Sequence, residues 1–189
     1  ATSDDPRNQP LVDHVARLGY RCWQGSENDV LNRYLEAAHD AAADVVVRIT
    51  GDCPLTDAAV VDEVIRRFKT SAVDYCSNTN PPTYPDGLDV ECIDARAFTE
   101  LRNSNLSLQE REHVTMGLYR HSEKYSLTSV TQQSDRSSLR WTVDVQEDLD
   151  FVRRVYAHLY DENKYFGQQE ILELLRLHPE LSRTDDEVA

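Results

Sequence analysis

Residues 45–55 read VVVRITGDCPL, a β-branched run that ends in an aspartate between a glycine and a Cys-Pro pair. The run predicts a strand over residues 45–49 that is buried on both faces, as in the parallel sheet of an α/β protein. Gly51 allows the chain to turn sharply there, and Pro54 prevents the strand from continuing. Because ligands of open α/β sheets bind beyond the carboxyl ends of the strands, Asp52 in this turn is a candidate ligand for a cation.

The pattern of apolar residues along the chain alternates between helical and strand periods. Helices are predicted at about residues 11–18, 26–43, 57–68, 94–103, 107–121, 146–160 and 168–177. Strands are predicted at residues 1–3, 20–23, 45–49, 73–77, 88–93, 125–131 and 139–143. The alternation in the first half implies right-handed crossovers and a doubly wound sheet. Residues 78–87, NTNPPTYPDG, contain three prolines and a glycine and predict an irregular loop.

The composition is that of a globular protein. A chain of 189 residues with 40% hydrophobic content can bury a sizeable core, so we expect one α/β domain over residues 1–178 and a polar, frayed tail over residues 179–189. Its 34 acidic and 20 basic residues give a formal charge of -14, which disfavours binding to nucleic acid or to an anionic membrane. No apolar run approaches the length of a membrane span. Small ligands or metal ions are the expected partners.

The four cysteines are too sparse for a structural framework. They form no CxxC pair and no dense pattern, so neither a zinc ribbon nor a disulfide scaffold is indicated. We expect reduced thiols and a cytoplasmic protein. The cysteines are Cys22, Cys53, Cys76 and Cys92.

A second aspartate follows another predicted strand. Asp144 comes directly after residues 139–143, as Asp52 follows the Val-rich strand. Two carboxylates that converge at one sheet edge suit a hard cation such as Mg²⁺, which takes oxygen ligands and keeps positions for water and phosphate. The alternative for Asp144 is a plain helix N-cap.

Five motifs in order along the chain carry a family resemblance. They are RITGDCPLTD (residues 48–57), DYCSN (74–78), PTYPDGLDVE (82–91), EREHVT (110–115) and RWTVDVQEDLDFVR (140–153). Together the chain resembles the cytidylyltransferase family of the spore-coat-polysaccharide type, which is related to the acylneuraminate and 3-deoxy-manno-octulosonate cytidylyltransferases. The resemblance covers nearly the whole chain.

The resemblance implies both a fold and an activity. The fold would be the nucleotide-diphospho-sugar transferase-like (Rossmann-like) one, an α/β fold with a mixed, mainly parallel sheet flanked by helices. The activity would be transfer of a cytidylyl (CMP) group from CTP to a sugar or sugar acid, with release of pyrophosphate, in activated-sugar synthesis for surface polysaccharide. Asp52 and Asp144 would then hold Mg²⁺ as metal ligands and catalytic residues. A homodimer, with contacts around residues 125–139, is a further expectation by analogy.

Two arginines are candidates for roles beside these aspartates. Arg48 lies inside the predicted buried strand, so its guanidinium must pair with a carboxylate or face a phosphate or a substrate carboxylate. Both alternatives stay open, and Arg48 is counted with the candidate catalytic residues. Arg140 is a candidate phosphate contact, with a structural salt bridge as the alternative. Glu147 and Asp148 are interpreted as first-turn charges that complement a helix dipole.

The family likeness places an acceptor-sugar site in and after the proline-rich loop, where the alternative is a rigid surface loop. The candidate substrate-binding residues there are Tyr84, Asp86, Gly87, Asp89 and Glu91. Arg111 and His113 are candidate anion contacts in a segment whose acidic residues also suit a helix start. Its spacing is not HExxH, so zinc is not implied.

The chain also departs from the family. The family opens with a strand and a Gly-, Ser- and Arg-rich loop that ends in a Leu-Pro-x-Lys segment and wraps the CTP phosphates, and nothing here matches it. We therefore expect the fold to be N-terminally incomplete, the natural protein to be longer, apolar surface to be exposed, and this chain alone to catalyse weakly. Two other functions stay open. One is a non-catalytic sugar-binding or assembly module, and the other is a metal-dependent glycosyltransferase, although that class normally shows an Asp-x-Asp motif.

Overall fold

The computed structural model describes residues 1–161 and 163–183. The chain divides into two compact units, whose described parts are residues 1–46 with 93–127 and residues 47–92 with 128–161 and 163–183. The expectation of a single domain over residues 1–178 stays a prediction. None of the helices in the described ranges is both long and apolar enough to cross a membrane.

The first unit is mainly helical. Its elements are β1 (Thr2–Ser3), a 3-10 turn at Pro6–Asn8, α1 (Gln9–Arg17), β2 (Gln24–Gly25), α2 (Val30–Asp40), α4 (Ala95–Arg102), α5 (Leu108–Glu112) and α6 (Met116–Arg120). β1 and β2 pair in parallel, with Thr2 opposite Gln24. No residue of α1 is buried, and Leu11 on it and Leu18 just after it are exposed.

The second unit carries α3 (Ala58–Ser71), β4 (Tyr75–Ser77), α7 (Gln146–Leu159), α8 (Gln168–Leu177) and a 3-10 turn at Pro179–Leu181. Strands β3 (Val45–Arg48), β5 (Glu91–Asp94) and β6 (Leu127–Ser129) lie where the chain passes from one unit to the other. The predicted helices α3, α7 and α8 form, and each buries the face that carries its apolar stripe.

A four-stranded sheet has the order β3-β5-β4-β6. The amide of Ala95, just after β5, donates to the carbonyl of Asp44, just before β3. The amide of Asn78, just after β4, donates to the carbonyl of Val90, just before β5. Since each bond joins the end of one strand to the start of the other, β5 runs antiparallel to both neighbours.

The last strand of the sheet, β6, runs parallel to its neighbour β4. The amide of Val130, just after β6, donates to the carbonyl of Ser77, the last residue of β4, so these two strands end side by side. Strands β3, β4 and β6 thus share one direction and β5 opposes them. The predicted α/β class with a mixed, mainly parallel sheet flanked by helices is confirmed.

The expectation that the Val-rich strand is buried on both faces is wrong. Val46 is 9% exposed, whereas Val45, Val47 and Ile49 are each 37–38% exposed. β3 is an end strand of the four-stranded order, and only its Val46 face is covered. The β-branched run therefore alternates between a buried and an open face.

Two predicted strands do not form. Residues 20–23 have no ladder, and pairing with β1 begins only at Gln24. Within residues 139–143, only Leu139 and Arg140 form isolated bridges: Arg140 pairs in parallel with Asp86, and its own amide donates on the other side to the carbonyl of Arg183. Alternating apolar residues need a partner strand, and neither segment has one along its length.

The helix predicted over residues 107–121 is two short helices, α5 and α6. Val114 between them has φ of +56°, a left-handed conformation that a helix cannot contain. Val114 is fully buried, so the helix is interrupted where the chain places this side chain in the core. Ser107 and Glu110 form the capping box that begins α5.

The tail was expected to be polar and frayed from residue 179. Leu181 is instead buried in the apolar cluster of α7 and α8, with Phe151, Ile171 and Leu174 among its members. The part of the tail up to residue 183 is therefore packed, and residues 184–189 lie outside the described residues.

The carboxylate of Asp57 caps two helices. Its Oδ1 accepts the amide of Ala59 in the first turn of α3 at 2.7 Å, and its Oδ2 accepts the amide of Gln168 at the start of α8 at 2.7 Å. A Cβ at Gly167 would collide with this carboxylate. The glycine thus lets the start of α8 approach Asp57.

Replacing Asp57 with alanine is expected to lower the free energy of unfolding by about 2 kcal/mol, because it removes the cap of both helices. Urea denaturation of the variant and of Asp62→Ala, an exposed position on the same helix, measures this. A loss no larger than that of the control would show that the shared cap does not contribute.

Candidate active site

The turn after β3 presents Asp52 to solvent. The Cys53 amide donates to the Thr50 carbonyl, and the Thr56 amide and hydroxyl both donate to the Cys53 carbonyl. Asp52 is exposed, whereas Cys53 is buried below it. Burial raises the pKa of the Cys53 thiol to about 12, although the hydrogen bond with Thr50 opposes the shift, so the thiol is protonated at neutral pH.

The segment before α7 lies against this turn. The amide of Val143 donates to the carbonyl of Asp52 at 2.9 Å, which places Asp144 one residue from the Asp52 backbone. The Asp144 side chain is 56% exposed. The structure thus brings the two predicted metal ligands onto adjacent turns of one unit.

The proline-rich loop completes the arrangement. The amide of Asp86 donates to Leu139, and the amide of Trp141 donates back to Asp86 at 2.7 Å. The hydroxyl of Thr142 lies 3.4 Å from a carboxylate oxygen of both Asp86 and Asp144. Asp86 therefore lies close to the two exposed aspartates, and Asp52, Asp86 and Asp144 form one acidic patch.

Gly87 makes this close approach possible. Its φ is +107°, and a Cβ there would lie 2.7–2.9 Å from backbone atoms of Trp141 and Thr142. Tyr84, earlier in the same loop, is half-buried against the apolar clusters around α3 and α7. Burial also raises the pKa of Tyr84.

Arg140 is held by three carboxylates. It forms ion pairs with Asp144, with Asp148 at 3.2 Å and with Asp86 at 4.0 Å. The hydrogen bonds to Asp148 come first among the causes that raise the pKa of Arg140. The salt-bridge alternative is therefore the one that the structure shows, while a phosphate contact stays a prediction.

Asp148 lies at the centre of this network and is 1% exposed. It accepts hydrogen bonds from the amides of Asp144 and Val145 and from the guanidinium groups of Arg140 and Arg183. Burial opposes ionisation of Asp148, but the bonds from Asp144, Arg140 and Val145 outweigh it and lower its pKa. The interpretation of Asp148 as a dipole charge missed this role, since no local pattern signals the distant Arg183.

Arg48 pairs with Glu91 on the neighbouring strand β5. Glu91 is 5% exposed and also accepts the hydroxyl of Tyr75. Burial and the Glu91 charge raise the pKa of Tyr75, which keeps it a hydrogen-bond donor. The ion-pair alternative left open for Arg48 is thus present, and both Glu91 oxygens have protein partners.

Asp89, two residues before Glu91, is only partly exposed. Burial raises its pKa to about 6, with further contributions from Asp86, Glu91 and Asp52, while the Arg48 charge opposes them. Burial is the main cause of the shift, and the carboxylates of Asp86, Glu91 and Asp52 lie near enough to add to it. A cationic ligand would offset the charge of these carboxylates.

Replacing Asp89 with asparagine is expected to stabilise the fold at pH 7.5 by about 2 kcal/mol after solvent screening. The raised folded-state pKa means that stability falls as pH rises from about 4 to 6, because the folded state must give up a proton that it holds more tightly than the unfolded chain. The gain should shrink at pH 4.5. Urea denaturation at both pH values, with Asp62→Asn as control, measures it, and an equal effect at the two pH values would contradict the assignment.

The two remaining candidates lie in the other unit. Arg111 donates to Asp29, the N-cap of α2, at 3.1 Å. His113 is exposed and ends α5, where its amide donates to Gln109. Neither takes part in the contacts around Asp52 and Asp144 described above, and their roles as anion contacts stay predictions.

The donor chemistry at the Asp52–Asp144 patch fits a hard cation. Within residues 1–161 and 163–183, no group of three or more His, Cys, Asp or Glu side chains has the geometry to enclose a metal ion. Asp52 and Asp144 are exposed carboxylates on adjacent turns, and the Thr142 hydroxyl lies 3.4 Å from both Asp86 and Asp144. Two carboxylates with open positions suit Mg²⁺, which keeps water and phosphate oxygens in its shell.

Residues 1–175 match the model of the family described as cytidylyltransferase. Spore coat polysaccharide biosynthesis protein SpsF of Bacillus subtilis is 27% identical over 183 residues, covering 95% of this chain and 75% of that protein. An uncharacterized protein of Methanocaldococcus jannaschii is 27% identical over 190 aligned positions, covering 100% of this chain and 76% of that protein.

Two solved structures share the fold. A cytidylyltransferase from Leptospira borgpetersenii aligns with a TM-score of 0.89 and 25% identity, over 95% of this chain and 75% of that chain. A CMP:2-keto-3-deoxy-manno-octonic acid synthetase complexed with CTP aligns with a TM-score of 0.59 and 14% identity, over 82% and 79% of the chains.

The family match and the shared fold define a CTP-dependent nucleotidyltransferase. The chain belongs to the cytidylyltransferase family. The resemblance seen in the sequence is confirmed.

Proposed function

We propose that the protein transfers a cytidylyl group from CTP to a sugar or sugar acid, with release of pyrophosphate, in activated-sugar synthesis for a surface polysaccharide. The observation that carries the proposal is the pairing of family membership with the Asp52 and Asp144 turns, which the Val143 amide holds together. The names of SpsF and of the CTP-bound synthetase support the choice of product class. The cytoplasmic location and the homodimer stay predictions.

The reaction asks for positioning and for neutralisation of charge. A hydroxyl oxygen of the acceptor forms a bond to the α-phosphorus of CTP, the bond from that phosphorus to the bridging oxygen breaks, and pyrophosphate leaves with the electron pair while the hydroxyl loses its proton. Mg²⁺, when bound, supplies the positive charge that offsets the charge developing on the phosphate oxygens. Asp52 and Asp144 would hold it, because their carboxylates are exposed on adjacent turns.

The proline-rich loop is the proposed site for the acceptor. Asp86 and Asp89 are partly exposed and lie near the turns that carry Asp52 and Asp144, so their carboxylates can accept hydrogen bonds from sugar hydroxyls. Tyr84 and Gly87 shape the loop through packing and close backbone approach. Glu91 would act through Arg48, since its oxygens are occupied.

A pyrophosphate-release assay with the protein, CTP, Mg²⁺ and a panel of sugars and sugar acids tests the proposal. We expect release that depends on CTP rather than ATP and that falls at least about 100-fold in Asp52→Asn. Asp62→Asn, an exposed carboxylate on α3, should behave as wild type. No release with any acceptor, alongside sugar binding that is indifferent to Mg²⁺, would favour the sugar-binding module instead.

A further inference from the structure

Arg183 lies beyond the part of the chain that matches the family, which ends at residue 175. It follows the 3-10 turn Pro179–Leu181, and Leu181 anchors that turn in the apolar cluster of α7 and α8. The Arg183 side chain is 18% exposed. The segment after α8 is thus part of the packed structure up to this arginine.

Arg183 contacts the network of Arg140 and Asp148 in two ways. Its carbonyl accepts the amide of Arg140 at 3.0 Å, and its Nη2 donates to Oδ1 of Asp148 at 3.1 Å. Arg140 and Asp148 also bond to each other, with Nη2 3.2 Å from Oδ2 and Nε 3.4 Å from Oδ1. The three residues therefore form a closed triangle of hydrogen bonds.

The other side of the triangle holds the turn that carries Asp144. Oδ2 of Asp148 accepts the amides of Asp144 at 3.0 Å and Val145 at 3.1 Å. Arg140 pairs with the Asp144 carboxylate itself. Arg183 is thus connected to Asp144 through one intermediate residue on each of two paths. Asp148 bonds to the Asp144 amide, and Arg140 bonds to the Asp144 carboxylate.

Charge explains why an arginine is needed there. Asp148 is 1% exposed and depends on hydrogen bonds and cations to remain ionised. With Arg183 present, the Asp148 carboxylate has two guanidinium partners, and its orientation toward the Asp144 and Val145 amides is held. Without Arg183, the guanidinium that remains bonded to Asp148 is that of Arg140, which Asp148 would share with Asp144 and Asp86, and the turn would loosen.

We propose that Arg183 is a positioning residue for the active site, which holds Asp148 and Arg140 and through them the Asp144 turn in the arrangement that binds the cation. The inference rests on the cation-binding part of the proposed function. It assigns a role to a segment that the family match does not reach.

The test compares Arg183→Met, Arg183→Lys and Leu181→Ala with wild type. Hydrogen exchange of the Asp144 and Val145 amides, measured by NMR well below the unfolding temperature, reports the turn directly. Mn²⁺ affinity, measured by electron paramagnetic resonance, reports its consequence. Leu181→Ala is the matched control, because it loosens the packing of the same segment and keeps the guanidinium.

We expect Arg183→Met to speed exchange at both amides about tenfold and to weaken Mn²⁺ binding about tenfold, as removal of an outer-shell partner does elsewhere. Arg183→Lys should recover part of both effects, since it restores the charge without the planar fork. Leu181→Ala should leave both near wild type.

Unchanged exchange at the two amides in Arg183→Met would overturn the inference, and so would an equal acceleration in Leu181→Ala. The Mn²⁺ measurement on Asp52→Asn separates the proposed cation site from the proposed positioning role of Arg183. If wild type and Asp52→Asn bind Mn²⁺ equally, the cation part of the proposed function fails, and the exchange rates still decide whether Arg183 positions the turn.

Discussion

Replacing Asp148 with alanine is expected to lower the free energy of unfolding by about 3–5 kcal/mol. The change leaves Arg140 and Arg183, which are 12% and 18% exposed, without their shared buried carboxylate. It also leaves the amides of Asp144 and Val145 without an acceptor. Urea denaturation at pH 7.5 measures the loss.

The pH dependence of this effect has a definite sign. Hydrogen bonds lower the folded-state pKa of Asp148 against the effect of burial, so its contribution is present above the ordinary aspartate pKa of about 4 and is lost as pH falls below it. The difference between wild type and Asp148→Ala should therefore narrow toward pH 3. Asp150→Ala, a half-exposed position on the same helix, is the control and should change stability by less than about 0.5 kcal/mol. An equal loss in both variants would contradict the buried network.

Replacing Gly87 with alanine is expected to cost about 2–4 kcal/mol. The residue has φ of +107°, which strains any side chain, and the new Cβ would press on the backbone of Trp141 and Thr142 at 2.7–2.9 Å. Backbone atoms cannot move aside without disturbing the bonds between Asp86 and the 139–141 segment. Because the same contact places Asp86 beside Asp144, the variant should also lose most of its catalytic activity.

Gly51→Ala is the matched control for this prediction. Gly51 has no positive φ, and a Cβ there would meet nothing within 4 Å. The sequence argument that Gly51 is needed for a sharp turn is therefore not what the structure shows, and alanine should be tolerated within about 0.5 kcal/mol. Thermal unfolding of the two variants side by side distinguishes them, and equal losses would show that the Gly87 contact is not limiting.

Helices were the most predictable part of the fold. The predicted span of residues 168–177 coincides with α8, and that of 146–160 differs from α7 by one residue, because an apolar stripe with a 3.6-residue period has one structural solution. Residues 107–121 broke this rule because a tertiary demand, the burial of Val114, overrode the local pattern.

Strands were less predictable, because a strand is defined by its partner. Residues 139–143 have an apolar alternation, but their backbone partners are Asp86 and Arg183, each more than forty residues away in the chain and neither in a strand. The wrong prediction that both faces of β3 are buried has the same cause, because the β-branched run carries no information about which elements cover each face. Both errors concern contacts that are remote in sequence.

The candidate site divides in the same way. Asp52 and Asp144 were predicted to converge because each follows a predicted strand, and the structure places them on adjacent turns, although residues 139–143 reach that place without forming a strand. The salt bridges of Arg140 and the Arg48–Glu91 pair were alternatives that the residues themselves suggested. The hub at Asp148 could not be predicted, since its geometry depends on distant parts of the chain.

The central claim is that Asp52 and Asp144 together hold a divalent cation. The most direct test is a Mn²⁺ titration followed by electron paramagnetic resonance on wild type, Asp52→Asn and Asp144→Asn, with Asp62→Asn as the surface control. We expect one Mn²⁺ site in wild type and in the control, displaced by Mg²⁺ and weakened at least about tenfold in each of the two site variants. Mn²⁺ binding that is as tight in both site variants as in wild type would contradict the claim.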